Sequence, residues 1–540
     1  MNATRAAIAA LLLYLVLVQP NHPAALTWGA LAVFPLEMPV LLAALVALGQ
    51  GWAGWTLRIL IVAALWIIAL SKLADFGTFI AFNRGFNLIV DYNLVPAAWT
   101  LARGSFGLPL LAFGVAFGAI ASTAFAGALW WATGVWSNMR LRLAGRGFAA
   151  LALIPTLALA AAEVGQARRV WSLPPSIAGA IPGAAFTARV GIERLEQLRN
   201  TRADLVAFRR AAAEDELAGL GPLFDRMGGR DLVIVYVESY GRSSFKNPLY
   251  ISTHTGTLRR LQGEMNALGL SQRSGWTEAP MVGGQSWLAH GSVASGLWLD
   301  TQGRYRAMLA SPRRTLFHFA QEAGFRTVAI KPAHVFPWPE GEFFGFDAIH
   351  NADDLGYRGE PFNWITMPDQ FTLHALDRLE REVEDRPPLM VQVALVSSHA
   401  PWVPIPELVD WDDIGDGTVF NQWALSGDPP EIVWRDHDRV RDQFRLAVDY
   451  SLQAVGAWAA RHAKDPPLMV VLGDHEPARF VSGVDGFDVP VHVIGPKELV
   501  DRFEGLGWVE GLLPSPRTPS IRMDRLRDEI ILRLSDGERS

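Results

Sequence analysis

The chain has 540 residues, enough for two or three domains, and half of them are hydrophobic, with 20 Trp and a positive mean hydropathy. The net charge of −6 leaves no basic footprint for nucleic acid. The absence of cysteine excludes disulfides, thiolate metal sites and cysteine nucleophiles.

The apolar excess lies almost wholly before Val164. A membrane-spanning helix needs about 20 largely apolar residues. Five stretches are candidates: 6–18, 26–48, 55–70, 108–131 and 148–162. The first follows Arg5 as a signal peptide would, but Gln19-Pro20-Asn21-His22 is a poor cleavage site and more spans follow, so it reads as an uncleaved span. Arg140, Arg142 and Arg146 lie between the fourth and fifth candidates and place that loop in the cytoplasm. With five spans, everything after Ala162 is then outside; Arg168, Arg169, Arg103 and Lys72 run against this orientation. Residues 76–103, with Arg84, Asn87, Asp91 and Asn93 among aromatics, read as an outer-face loop with amphipathic helices, or as part of a lipid headgroup site.

The organisation expected is a transmembrane domain over 1–165, a linker with amphipathic helices over 166–226, a catalytic domain over 227–512, and a C-terminal helix and tail over 513–540. The Pro-, Gly- and Ala-rich stretch 172–185 is a connector, and 189–220 is charged with a helical period. From Leu232 the texture changes to short apolar runs at 232–237, 328–330, 389–396, 468–472 and 489–494, with helical patterns at 368–383 and 440–462. Apolar strands alternating with helices predict an α/β domain, its mostly parallel sheet covered by helices on both faces. In such sheets active sites gather at the carboxyl ends of strands, where Glu238, His399 and Asp474 fall.

Asp474 and His475, in Gly473-Asp474-His475-Glu476-Pro477, present a carboxylate and an imidazole suited to Zn²⁺ or Mn²⁺; a turn Asp capping a helix fits the same pair. Glu238 ends a wholly apolar strand, where a carboxylate is costly unless paired or metal-bound. Ser286, after Gly283-Gly284-Gln285, opens a helix, so it is either a plain N-cap or a nucleophile that a metal deprotonates for attack on phosphorus. His399, in Ser397-Ser398-His399-Ala400-Pro401-Trp402, is placed to bind phosphoryl oxygens or to protonate a leaving group. Lys331, His334 and Arg479 are candidate substrate contacts, with a surface arginine the more ordinary reading of Arg479; Trp287, Trp298, Trp338 and Trp402 are candidate pocket walls, with core packing the default for any one of them. His290, one turn past Ser286, reads as packed.

These motifs resemble the alkaline phosphatase/sulfatase superfamily, and within it the membrane-bound lipoteichoic acid synthases, phosphoglycerol transferases and phosphoethanolamine transferases. Val-Glu-Ser-Tyr-Gly at 237–241 is similar to the metal glutamate motif, Gly-Gly-Gln-Ser to the nucleophile loop, Gly-Asp-His-Glu to the ligand pair, and Ser-Ser-His-Ala-Pro-Trp to the substrate-histidine motif. The resemblance implies one Mn²⁺ or Zn²⁺ on Glu238, Ser286, Asp474 and His475. It implies transfer of a phospholipid headgroup, phosphoglycerol before phosphoethanolamine, through a phospho-serine to a glycan or lipid acceptor. It also implies a multi-pass protein of the bacterial cytoplasmic membrane with its catalytic domain outside. Two departures stand out: the usual nucleophile of these transferases is threonine, and the loop around His334 matches poorly. Sulfatases carry Pro and Arg two and four positions after the nucleophile; here these are Leu288 and His290, which disfavours sulfate esters. A phosphodiesterase or phosphatase with water as acceptor, and a non-catalytic membrane protein, are the alternative readings.

Overall fold

A computed structural model describes residues 3–82, 84–92, 95–139, 141–172, 174, 181–220, 223–335, 338–363 and 365–536. Asn93, Arg140 and half of the 172–185 connector lie outside them. Two compact units emerge, one of residues 1–80 and 84–204, the other of 81–83 and 205–540.

In the first unit, three helices among the described residues are long and apolar enough to cross a membrane: Trp52–Ile80, Gly107–Ser137 and Leu143–Ala167. Ala3–Val18 and Glu37–Leu48 are apolar but have only 16 and 12 residues, short of the roughly 20 a span requires. The expected span 26–48 is therefore not one helix. A turn at Trp28–Leu31, capped by Thr27, precedes Pro35, which lacks an N–H and disfavours helical backbone before it. The expected loop 76–103 is also shorter, because one helix runs on to Phe82 and the next begins at Val95.

Lys72 and Asp75 are fully buried within the Trp52–Phe82 helix, so Lys72 is no loop residue. Charge in such a helix is expensive unless paired. Lys72 Nζ donates to Thr187 Oγ1 at 2.7 Å and to the Leu17 carbonyl at 3.3 Å, and Asp75 pairs with Arg194. Glu37 and Glu163 accept the amides of Ala188 and Ala185 at 2.9 and 3.0 Å. A helix start leaves its first N–H groups unpaired and carries a positive dipole end, both of which these acids satisfy. The start of the helix over Phe186–Ala213 is thus fastened by charged side chains, more tightly than a connector requires.

The second unit is built on nine strands: β1 Leu232–Val237, β2 Ser271–Glu278, β3 Arg326–Lys331, β4 Ala348–Asn351, β5 Leu389–Ala394, β6 Leu468–Gly473, β7 Asp488–Gly495, β8 Val509–Glu510 and β9 Ile521–Arg522. Their order is β4-β3-β5-β1-β6-β7-β2-β8, with β9 paired to β2. The sheet is mixed. The five strands from β4 to β6 are parallel, but β7 is antiparallel to both β6 and β2, and β8 is antiparallel to β2. The stretch 474–487 between β6 and β7 holds only the four-residue helix Arg479–Ser482 and no helix long enough to cover the sheet, and the chain turns back.

Both faces of the sheet are covered, as expected. Along β1, Val233, Val235 and Val237 enter a core with Leu258, Leu261, Phe371 and Phe444, while Leu232, Ile234 and Tyr236 enter another with Leu288, Val293, Phe317 and Ile530. Two-sided burial explains the unbroken apolar runs of β1 and β6. β2 is invisible to hydropathy because its sequence, SQRSGWTE, is polar. Its side chains reach the C-terminal segment: Arg273 donates to the Trp508 carbonyl, Ser274 to that of Gly511, Trp276 to that of Ser515 and Thr277 to that of Ile521. Residues beyond 512 are consequently part of the domain and supply β9 to its sheet.

Gly473 ends β6 where a Cβ would stand 1.8 Å from the Tyr240 carbonyl oxygen. Overpacking typically costs 1–3 kcal/mol, and backbone cannot move aside as a side chain can. Gly473→Ala is therefore expected to destabilise the domain by at least ~2 kcal/mol, seen as a lower apparent Tm of the full-length protein.

Candidate metal centre and nucleophile

The site begins with strand register. β1 and β6 are parallel neighbours with Val237 opposite Gly473, so the next residues, Glu238 and Asp474, leave the sheet side by side. Ser239 then turns the chain in the left-handed region, at φ 57°. Asp474 Oδ1 accepts the amides of Ser239 and of His475, each at 2.8 Å. His475 Nδ1 donates to the Glu476 carbonyl at 2.9 Å, which leaves the Nε2 lone pair facing the centre. Nε2 lies 3.2 Å from Glu238 Oε1 and 3.2 Å from Ser286 Oγ.

Ser286 is the first residue of the helix Ser286–Ser295, and Gln285 before it is left-handed at φ 65°. Gly284 has φ 136°, a backbone that only glycine adopts without strain. The Ser286 hydroxyl turns away from the helix amides and donates to Glu238 Oε2 at 2.8 Å. An N-cap serine accepts from those amides instead; the cap position here belongs to Gln285, whose side chain makes no capping bond.

Glu238, Asp474 and His475 are almost fully buried, and their ligand atoms lie within 4.8 Å of one another. Burial, reinforced by the Glu238 carboxylate, pushes Asp474 up to about 8. Burial pulls the His475 imidazole down, but Asp474 and Glu238 outweigh it and carry it up to about 10. Without a cation, then, a proton on His475 is the positive charge that two packed carboxylates demand. The donor set of two carboxylates, one inward-facing imidazole nitrogen and one hydroxyl suits Zn²⁺ or Mn²⁺. Bonds of about 2.1 Å in a tetrahedron put ligand atoms about 3.4 Å apart, close to the 2.8–3.2 Å spacings among Ser286, Glu238 and His475.

A cavity of about 400 Å³ opens beside Ser286. Its wall brings together Glu238, Trp287, His290, Lys331, His334, Trp338 and His399. Lys331, at the end of β3, is buried down to 4% exposure, which lowers its ammonium to about 7. It lies 5.0 Å from the Trp338 ring. Burial, and then Lys331, bring His334 down to about 4, so it is neutral near pH 7. The His399 loop is fastened from below by a residue that no motif marks. Buried Asp369 accepts the amides of Val396 and Ser397 at 2.8 and 2.9 Å and the Ser451 hydroxyl at 2.6 Å. Ser398 Oγ adds a bond to the Glu238 carbonyl at 2.7 Å. In the sequence Asp369 looks like any acid at a helix start, after Pro368; only its burial reveals the role.

Three expected contacts are displaced. Arg479 is exposed, pairs with Asp485 at 2.9 Å and does not line the cavity. Trp402 is buried in the core, stacked on Trp434, and Trp298 packs under Arg522. Each satisfies a local neighbour, and sequence alone does not distinguish such residues from pocket walls.

Residues 231–488 match the protein-family model described as Sulfatase. No curated protein matches the chain. Among solved structures, the lipoteichoic acid synthase LtaP from Listeria monocytogenes aligns at 16% identity over 54% of this chain and 70% of its own, with a TM-score of 0.33. The zinc complex of the C-terminal periplasmic domain of EptC from Escherichia coli aligns at 14% identity over 58% and 82%, with a TM-score of 0.33. The Streptococcus pyogenes phosphoglycerol transferase GacH, in complex with sn-glycerol-1-phosphate, aligns at 11% identity over 61% and 80%, with a TM-score of 0.38. The matched segment, just under half of the chain, contains Glu238, Ser286, His399, Asp474 and His475.

Binding energy at a site assembled only in the folded state is folding energy. Chelator-treated protein is therefore expected to lose its bound divalent ion and to melt at lower temperature. Glu238→Gln and His475→Ala are expected to retain little metal by elemental analysis, and their melting temperatures to respond little to added Zn²⁺ or Mn²⁺.

Proposed function

We propose that the protein is a metal-dependent membrane phosphotransferase. It transfers a phospholipid headgroup, phosphoglycerol first and phosphoethanolamine second, by way of a phospho-serine at Ser286, to a hydroxyl of a glycan or lipid. The observation that carries this reading is the Ser286 hydroxyl, which bonds to Glu238 at the metal-ligand cluster and leaves its helix uncapped. A Zn²⁺ or Mn²⁺ held by Glu238, Asp474, His475 and Ser286 would lower the hydroxyl pKa and offset the negative charge of the site.

The protein's own groups supply the rest. The Ser286 proton lies in a hydrogen bond to Glu238 Oε2, which makes that carboxylate its first acceptor. Ser286 Oγ attacks the donor phosphorus while the bond from phosphorus to the diacylglycerol oxygen breaks. His399, on the cavity wall, protonates that leaving oxygen. Lys331 and the N-terminal amides of the Ser286–Ser295 helix face the phosphoryl oxygens. In the second half the acceptor hydroxyl gives its proton to His399 and attacks phosphorus, and the bond to Ser286 Oγ breaks. Ser286 Oγ takes its proton back from Glu238, and the headgroup phosphate leaves on the acceptor. Leu288 and His290, in place of the Pro and Arg of sulfatases, favour phosphate over sulfate esters. The apolar helices keep the domain beside its lipid donor, on the outer side of a bacterial cytoplasmic membrane.

Intact mass after incubation with phospholipids and Zn²⁺ or Mn²⁺ is expected to show a headgroup-phosphate adduct on the wild type and none on Ser286→Ala. Bound metal with no adduct from any phospholipid would sink the phospholipid-donor reading. Release of free headgroup phosphate, with no modified acceptor, would assign water as the acceptor.

Lys331 gives a pH signature. Its ammonium is present below about 7 and lost above, and an anionic donor binds the charged form better. KM for the donor is therefore expected to rise as pH climbs above about 7. In Lys331→Met, KM should be higher at low pH and that rise should be absent.

A further inference from the structure

Three loops, distant in sequence, build the site: residues 238–243 after β1, 282–286 before the nucleophile helix and 474–477 after β6. Besides the clustered Glu238 and His475, one further residue touches all three. Glu476 comes directly after the ligand His475 and is 2% exposed. Its backbone carbonyl accepts His475 Nδ1 at 2.9 Å and the Gly283 amide at 2.8 Å, within a parallel bridge between Val282 and Glu476. Its side chain serves the third loop: Oε1 accepts the Ser243 amide at 2.8 Å. The carboxylate lies against Gly241, where a Cβ would come 2.2 Å from Glu476 Cδ.

Strand pairing places Glu238 and Asp474 at their strand ends, but it does not hold the loop residues beyond them. Ser239 is a non-glycine residue in the left-handed region, a conformation that a side chain disfavours. Two acids of the β6 loop restrain this turn, Asp474 through the Ser239 amide and Glu476 through the Ser243 amide. Glu476 is not one of the clustered ligand residues and does not line the cavity. A buried carboxylate with neither role needs another reason to be there.

We propose that Glu476 is a positioning residue that sets the separation of Ser286, Glu238 and His475. Its main chain holds the nucleophile loop to the ligand histidine, and its side chain holds the Glu238 loop to the same point. The inference rests on the reading of this cluster as a metal centre with Ser286 as nucleophile. Residues that orient ligands without binding the metal commonly matter 10–100-fold to its affinity.

The test uses the full-length protein in detergent, with Zn²⁺ as probe. One arm measures Zn²⁺ affinity by competition with a chelator; the other measures amide hydrogen exchange over residues 239–243 and 282–285 of the metal-free protein. Glu476→Ala is expected to weaken Zn²⁺ by about 10–100-fold and to raise exchange in both segments. Glu476→Gln keeps an acceptor for the Ser243 amide and is expected to restore most of both. Gly241→Ala approaches the carboxylate from the opposite side and stands in should Glu476→Ala not fold. It is expected to weaken Zn²⁺ too and to raise exchange over residues 239–243. A folded Glu476→Ala with wild-type affinity and unchanged exchange would overturn the proposal. A Glu476→Gln as weak as Glu476→Ala would also overturn it, by assigning the effect to charge. Wild-type protein that binds no Zn²⁺ would overturn the underlying reading, whereas the exchange arm judges the loop hold alone.

Discussion

Everything at the site depends on burying two carboxylates and an imidazole beside one another at the ends of two paired strands. β1 and β6 pair in the register that sets Val237 against Gly473, and this delivers Glu238 and Asp474 to one point with no loop to adjust the distance. The arrangement is unfavourable alone, since like charges packed out of water repel. Asp474 is pushed up to about 8 and His475 up to about 10, both answers to the same missing positive charge. A cation satisfies it better than a proton can, because it bonds several of the oxygens together. The apolar cores on both sides of β1 and β6 keep these strands in place and so keep the charges together.

The proposed nucleophile reaches this point by a different device. Ser286 lies on no central strand; it opens a helix after a glycine turn, and Val282 ties that turn to Glu476 of the β6 loop. The helix start therefore offers its amides and dipole to an anion while its first hydroxyl faces the carboxylates. His399 arrives by a third route, on a loop fastened by Asp369 and by Ser398. Each chemical role thus rests on a hydrogen bond made by a residue with no part in the chemistry.

The parts of this architecture that depend on period and burial were legible in the sequence. β1, β5, β6 and β7 are apolar because both faces of the sheet are covered, and their ends pointed to Glu238, Asp474 and His475. β2 was not legible, because its polar side chains are offset by bonds to backbone carbonyls hundreds of positions away, beyond any local pattern. The reversal of β7 was hidden for a related reason, since direction depends on the path of the connection and not on strand composition. Arg479 and Trp402 follow their more ordinary readings, a surface arginine and a core tryptophan, because residue type says what a side chain can do, whereas its neighbours, Asp485 and Trp434, decide what it does. In the apolar half, hydropathy found the long helices but not the break at Pro35, nor the bond of buried Lys72 to Thr187 or that of buried Asp75 to Arg194.

Those buried charges bear on how the helix over Phe186–Ala213 begins. Glu37 and Glu163 take up its unpaired first amides, Lys72 bonds Thr187, and Arg194 pairs with Asp75. Polar groups within an apolar helix bundle are tolerated only when their partners are in place, and removing one partner leaves the other buried and unpaired. This makes the join close to all-or-none: it is made in full or the bundle carries uncompensated charge.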